Sequence, residues 1–88
     1  MIIGNQAKLE KERALLGRKI KLTRIAYGLT QAELAELLDI TQYTVSAWER
    51  GFHNPKPEHF KSLCRVFEVE SEYFTRPDGI PNRLANDE

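Results

Sequence analysis

The sequence predicts an all-α fold, a compact bundle of about five helices. Three observations carry that expectation. Apolar residues recur every three to four positions through most of the 88 residues, no run of alternating β-branched residues suggests a strand, and glycine and proline punctuate the periodic segments.

The first helix is expected from about Lys8 to Tyr27, with Leu16, Ile20, Thr23, Arg24 and Tyr27 recurring at helical spacing. Gly17 leaves open whether this helix continues or breaks, and Gly28 stands where helices end. Thr30 opens the second helix, and Glu33 three residues on completes a Thr-x-x-Glu capping box. That helix runs through Leu38, with Leu34, Leu37 and Leu38 assigned to one face and Asp39 placed at a sharp turn. Thr41 caps the third helix, which reaches Arg50 and stops at Gly51. Val45, Trp48 and Glu49 share its inner side, leaving Gln42, Tyr43, Ser46, Ala47 and Arg50 outward. The loop from Phe52 carries Pro55 and Pro57, the second of which starts a fourth helix to Phe67. Phe60, Leu63, Cys64 and Phe67 form its core stripe. Ser71 caps a short fifth helix that returns Tyr73 and Phe74 to the core, and Pro77 ends it.

Composition narrows the functions available. A chain of 88 residues forms one domain, near the lower size at which a core folds without disulfide or metal. The single cysteine, Cys64, forms no internal disulfide and reads as a small buried hydrophobe, which suits a reducing compartment; a cytoplasmic location is the expectation. No segment has the apolar core of a signal peptide or the length of a membrane span. The net charge is zero, which is unusual for a nucleic-acid binder. Its distribution is uneven, however: residues 1–28 carry seven basic and two acidic side chains.

No nucleophile with a base, metal cluster or phosphate-cradling loop is visible, so neither an enzyme nor a cofactor is expected. His53 and His59 lack a cysteine partner at ligand spacing.

Two short helices joined by a tight turn have the helix-turn-helix spacing, in which the second helix enters a major groove about 12 Å wide. Within Leu29 to Gly51, LTQAELAELLDITQYTVSAWERG, Ala35 is small where the helices cross, and Leu34, Val45 and Trp48 are apolar where they pack. The Thr-Gln-Ala-Glu-Leu-Ala opening, the Thr-Gln start of the third helix, its Glu-Arg-Gly ending and Val69, Ser71, Tyr73 and Phe74 resemble the phage-repressor and Cro type of helix-turn-helix, the Xre or lambda-repressor-like family. The resemblance covers about Leu15 to Phe74. Residues 1–14 are then an extension or the start of helix one, 15–75 the DNA-binding domain, and 76–88 an irregular tail.

That resemblance implies a transcriptional regulator, most often a repressor, binding double-stranded DNA as a homodimer on a palindromic operator. It places base reading on Gln42, Tyr43, Ser46 and Ala47. A glutamine amide reads adenine N6 and N7 together, an alanine methyl suits the thymine methyl, and the absence of arginine from these four leans preference toward adenine and thymine. Phosphate contacts fall to Thr30, Gln31, Thr44, Arg50, His53, Asn54 and Lys56, with Gln31 also bracing Gln42. Arg24 and Glu49 match an ion pair tying the first helix to the third. Two departures stand out: Asp39 replaces the usual turn glycine, and the loop after Gly51 is about one residue longer. The alternative on the same fold is a protein-interaction module, an antitoxin, anti-repressor or adaptor, whose partner would pack on Ile2, Ile3, Leu9 and Leu15.

Overall fold

A computed structural model describes residues 2–75, with side chains described from residue 7 onward. Five helices follow in order: α1 Ile2–Ala26, α2 Gln31–Leu38, α3 Gln42–Glu49, α4 Pro57–Phe67 and α5 Ser71–Thr75. The expected all-helical bundle is therefore observed, with adjustments at the ends of α1, α3 and α5; α3 stops at Glu49, one residue short of Arg50. α1 begins six residues before Lys8, over a segment, Ile2 to Ala7, that carries no helical apolar stripe to mark it. Tyr27 lies in the turn beyond it, and Ser71 is the first residue of α5 rather than a residue preceding it. Pro77 and the tail assigned to 76–88 lie outside the described residues.

α1 is unbroken at Gly17, which serves a different purpose. The glycine is buried against the end of α3, and a Cβ placed on it would stand 2.2 Å from the Trp48 carbonyl oxygen and 2.9 Å from that of Glu49. The two helices cross with backbone on backbone. From the same face of α1, Arg13 Nε donates to the Gly51 carbonyl at 3.2 Å, covering the negative end of α3 with a cation.

The core is drawn from all five helices: Ile20, Leu34, Leu38, Val45, Trp48, Leu63, Phe67 and Phe74 are buried, with Ala35 filling the small space beside them. α5 is fastened to α1 by a polar contact inside this apolar shell. The fully buried Thr23 hydroxyl donates to the Lys19 carbonyl at 2.7 Å and accepts from the Tyr73 hydroxyl at 2.7 Å, while the Lys19 ammonium lies 4.4 Å from the Tyr73 ring centre. Burial pushes the Tyr73 hydroxyl above its ordinary pKa, the Thr23 bond opposing that shift. Cys64 packs against the core with its thiol pushed up by burial, a structural cysteine. Leu37 departs from its expected face and is 58% exposed. It lies past the edge of the stripe that Leu34, Ala35 and Leu38 bury.

Four helices end in the same way. At α1, α2, α3 and α4 a residue with left-handed backbone donates to a carbonyl three residues back, and its successor donates five residues back; Gly28, Asp39, Gly51 and Glu68 hold the left-handed position. Glycine occupies two of these without a steric penalty, whereas Asp39 and Glu68, at φ of 59° and 56°, bring Cβ close to a carbonyl. Glu68 is exposed, so Glu68→Gly removes the clash and no packing. It should stabilise the fold by about 0.5–1 kcal/mol, a rise in Tm of a few degrees by calorimetry; an unchanged or lower Tm would contradict the strain.

Candidate nucleic-acid interface

The site is built at the N-termini of α2 and α3. Thr30 Oγ1 accepts from the Glu33 amide at 3.0 Å while Glu33 Oε1 accepts from the Thr30 amide at 2.8 Å, the complete capping box. The first intrahelical bond is Leu34 N–H to the Thr30 carbonyl, so the amides of Gln31 and Ala32 precede the ladder and point out of the helix end. At α3, Thr41 Oγ1 accepts from the Thr44 amide at 3.2 Å, and the two threonine hydroxyls lie 3.0 Å apart. Asp39, in the left-handed conformation, lets the chain turn between the helices in three residues, Asp39 to Thr41.

Beneath these ends runs a line of hydrogen bonds. Arg24 Nε donates to Glu49 Oε2 at 2.6 Å and Arg24 Nη2 to Glu49 Oε1 at 3.2 Å, a two-point pair with the Glu49 side chain only 2% exposed. Arg24 Nη1 donates in addition to the Leu29 carbonyl at 2.7 Å, which ties the turn before α2. Glu49 Oε1 also accepts from Gln31 Nε2 at 2.9 Å, and Gln31 Oε1 accepts from Gln42 Nε2 at 3.5 Å. The arginine of α1, the end of α3 and the first residues of α2 and α3 thus form one connected set.

The remaining sequence-predicted residues divide clearly. Gln42 and Tyr43 are exposed, Tyr43 at 67%, and Ser46 and Thr44 are half-buried on the same helix. Ala47 is corrected: it is 1% exposed and has no surface to offer a thymine methyl. Helical periodicity alone places it outward, but its side chain is covered in the tertiary fold, in which α3 packs against both α1 and α2. Arg50, His53, Asn54 and Lys56 are exposed at the far end of α3 and in the loop after it. Phe52, which the sequence reading left without a role, is also exposed and carries the Arg50 guanidinium 4.8 Å from its ring centre. Its ring sets the direction of that arginine.

The Glu49 to Gln31 bond was not expected: the resemblance implied a partner for each, Arg24 for Glu49 and Gln42 for Gln31, but no contact between the two. Gly17 did leave a signal: a glycine inside a helical pattern costs about 1 kcal/mol against alanine, which argues for a close approach.

Residues 20–74 match the helix-turn-helix family. The chain belongs to the Xre/Cro-type helix-turn-helix DNA-binding family. Among the relatives of this Xre/Cro-type domain, the HTH-type transcriptional regulator ImmR of Bacillus subtilis is 29% identical over 72 residues, spanning 82% of this chain and 57% of ImmR. Repressor protein C2 of Salmonella phage P22 is 24% identical over 71 residues, 81% of this chain and 33% of C2. The chain therefore spans between a third and about three fifths of these two curated relatives. The restriction-modification controller protein C.AhdI of Aeromonas hydrophila superposes with a TM-score of 0.69 at 25% identity, over 73% of this chain and 97% of C.AhdI. No described helix is long and apolar enough to cross a membrane.

Proposed function

We propose that this chain is a sequence-specific DNA-binding transcriptional repressor, which acts as a homodimer on a palindromic operator and reads the major groove with the N-terminal half of α3. The observation that carries the reading is the exposed Gln42 amide, steadied by Gln31 at the tip of α3, with Arg50 and Lys56 at its other end. Gln42 offers donor and acceptor to adenine N7 and N6, and Tyr43 and Ser46 stand on the same helix toward neighbouring bases. Gln31, Thr30 and Thr44 at the two helix N-termini, with Arg50, His53, Asn54 and Lys56 beyond, grip phosphates and set the register. Thr30 keeps its hydroxyl proton for this purpose, since its oxygen accepts from Glu33.

The neutral net charge is compatible with that role. Arg24 is committed to Glu49, Lys19 lies against Tyr73 and Arg13 caps Gly51, so these cations support the fold, and a small set of exposed cations supplies the DNA contacts. One recognition helix covers only a few base pairs, which is why two copies are needed for specific affinity on the order of 10⁻⁸ to 10⁻¹¹ M.

Binding to a randomised duplex pool at low salt, followed by titration of the selected site, tests the reading. Gln42→Ala should erase discrimination at one base pair per half-site, while Lys56→Ala should weaken every duplex alike and flatten the salt dependence. Absence of binding to any duplex at low salt would refute it.

A further inference from the structure

We propose that Glu49 is a specificity-positioning residue: its buried carboxylate sets which way the Gln42 amide faces the groove, acting through Gln31. This rests on the reading of Gln42 as a base-contacting residue.

A side-chain amide has two nearly isosteric orientations, and which is adopted depends on its partners. A carboxylate only accepts. With both Glu49 oxygens taken up by Arg24, and Oε1 also facing α2, the only group of Gln31 that can approach it is Nε2, which does so at 2.9 Å. Gln31 Oε1 is thereby turned toward α3, and the group of Gln42 that can meet an acceptor is again Nε2, at 3.5 Å. One N–H of Gln42 is then directed at Gln31, leaving its second N–H and Oε1 for a base. Adenine presents an acceptor at N7 and a donor at N6 in a defined order, so an amide held in one orientation matches it and the inverted amide does not.

The arrangement is graded in burial in a way that suits this task. Glu49 is closed off from solvent and cannot reorient, Gln31 is half-buried, and Gln42 is exposed. Orientation is passed outward from a fixed charge to a free surface. Arg24 holds the charge in place but does not itself touch either glutamine in the described contacts.

The test compares base preferences on the duplex that the wild-type protein selects from random DNA, with each position replaced in turn by the other three base pairs. Gln42→Ala should reduce the adenine preference at one position by about tenfold. Gln31→Met, which leaves the Arg24–Glu49 pair intact, and Glu49→Gln, which permits Gln31 to invert, should reduce preference at that same position by at least about threefold, with ratios elsewhere preserved. A residue acting only on stability lowers the amount of folded protein and weakens all duplexes in proportion. If Gln42→Ala flattens one position while Gln31→Met leaves its ratio unchanged, the proposed relay is overturned and base reading stands. If Gln42→Ala flattens no position, base reading itself falls and the relay with it. If Gln31→Met lowers the ratio while folded Glu49→Gln leaves it unchanged, the Gln31–Gln42 contact stands without Glu49 and the proposal is overturned; should Glu49→Gln not fold, the double variant Arg24→Met with Glu49→Leu, which leaves no buried charge unpaired, gives the same comparison.

Discussion

Gly17→Ala should destabilise the protein by about 3 kcal/mol or more, although helix propensity alone predicts the opposite sign. In the middle of an exposed helix, alanine is favoured over glycine by about 1 kcal/mol. Here the new methyl would lie 2.2 Å from the Trp48 carbonyl oxygen and 3.1 Å from the Glu49 carbonyl carbon. Those are backbone atoms of α3 and have no rotamer with which to retreat. The alternatives are to push α1 off α3, opening space around Ile20 and Trp48, or to shift the end of α3. Either one exceeds the propensity gain. In a domain of this size the loss corresponds to a fall in Tm of roughly 12–24 °C, at 4–8 °C per kcal/mol. Thermal and urea unfolding followed by circular dichroism measure it directly; a variant as stable as wild type would show that α1 and α3 do not approach so closely. Since the crossing also sets the tilt of α3, DNA affinity should fall further than the folded fraction explains.

Arg24→Ala should cost about 3–5 kcal/mol, the range for removing one partner of a buried ion pair. Three hydrogen bonds to two groups vanish at once, and the Glu49 carboxylate, 2% exposed, is left with Gln31 as its remaining described partner. The free Leu29 carbonyl loosens the turn that leads into α2. Lys11→Ala is the control, because Lys11 is exposed on the outer part of α1 and its removal should fall within about 0.5 kcal/mol. Equal melting temperatures for the two variants would refute the assignment. The double variant Arg24→Met with Glu49→Leu should recover much of the loss, since an apolar pair leaves no buried charge without a partner. By the relay argued above it should nonetheless discriminate poorly between base pairs. Stability and specificity would then be separated at one pair of residues.

The helix pattern was legible because it is written in near neighbours. Thr30 with Glu33, Thr41 with Thr44, and Gly28 and Gly51 after their helices are interactions within five residues, for which spacing is sufficient information. The stripes Leu34 with Leu38 and Phe60 with Leu63 and Phe67 follow from a single period. The errors lie where a second element intervenes. Ala47 is buried in the packed fold although periodicity points it outward, Leu37 is left exposed beside the buried Leu34 and Leu38, and Gly17 reads as a weakness until α3 is laid across it.

The amino-acid sequence by itself determined the number and order of the helices, most of their ends and core-facing residues, and that Gln31 and Gln42 stand at the starts of the two helices of a helix-turn-helix. Local geometry decides such features, since a helix brings together only residues a turn apart. The resemblance implied the Arg24–Glu49 pair and the Gln31–Gln42 brace; the tertiary structure alone added the Gln31–Glu49 and Arg24–Leu29 bonds that join them into one set. Arg24, Leu29, Gln31, Gln42 and Glu49 come into hydrogen-bonding contact only through the crossing of α1, α2 and α3. That crossing is fixed by the missing side chain at Gly17 and by the packing of Ile20, Leu34, Val45 and Trp48. A periodic pattern contains no information about the angle at which two helices meet, and the contacts among Gln31, Gln42 and Glu49 depend on that angle.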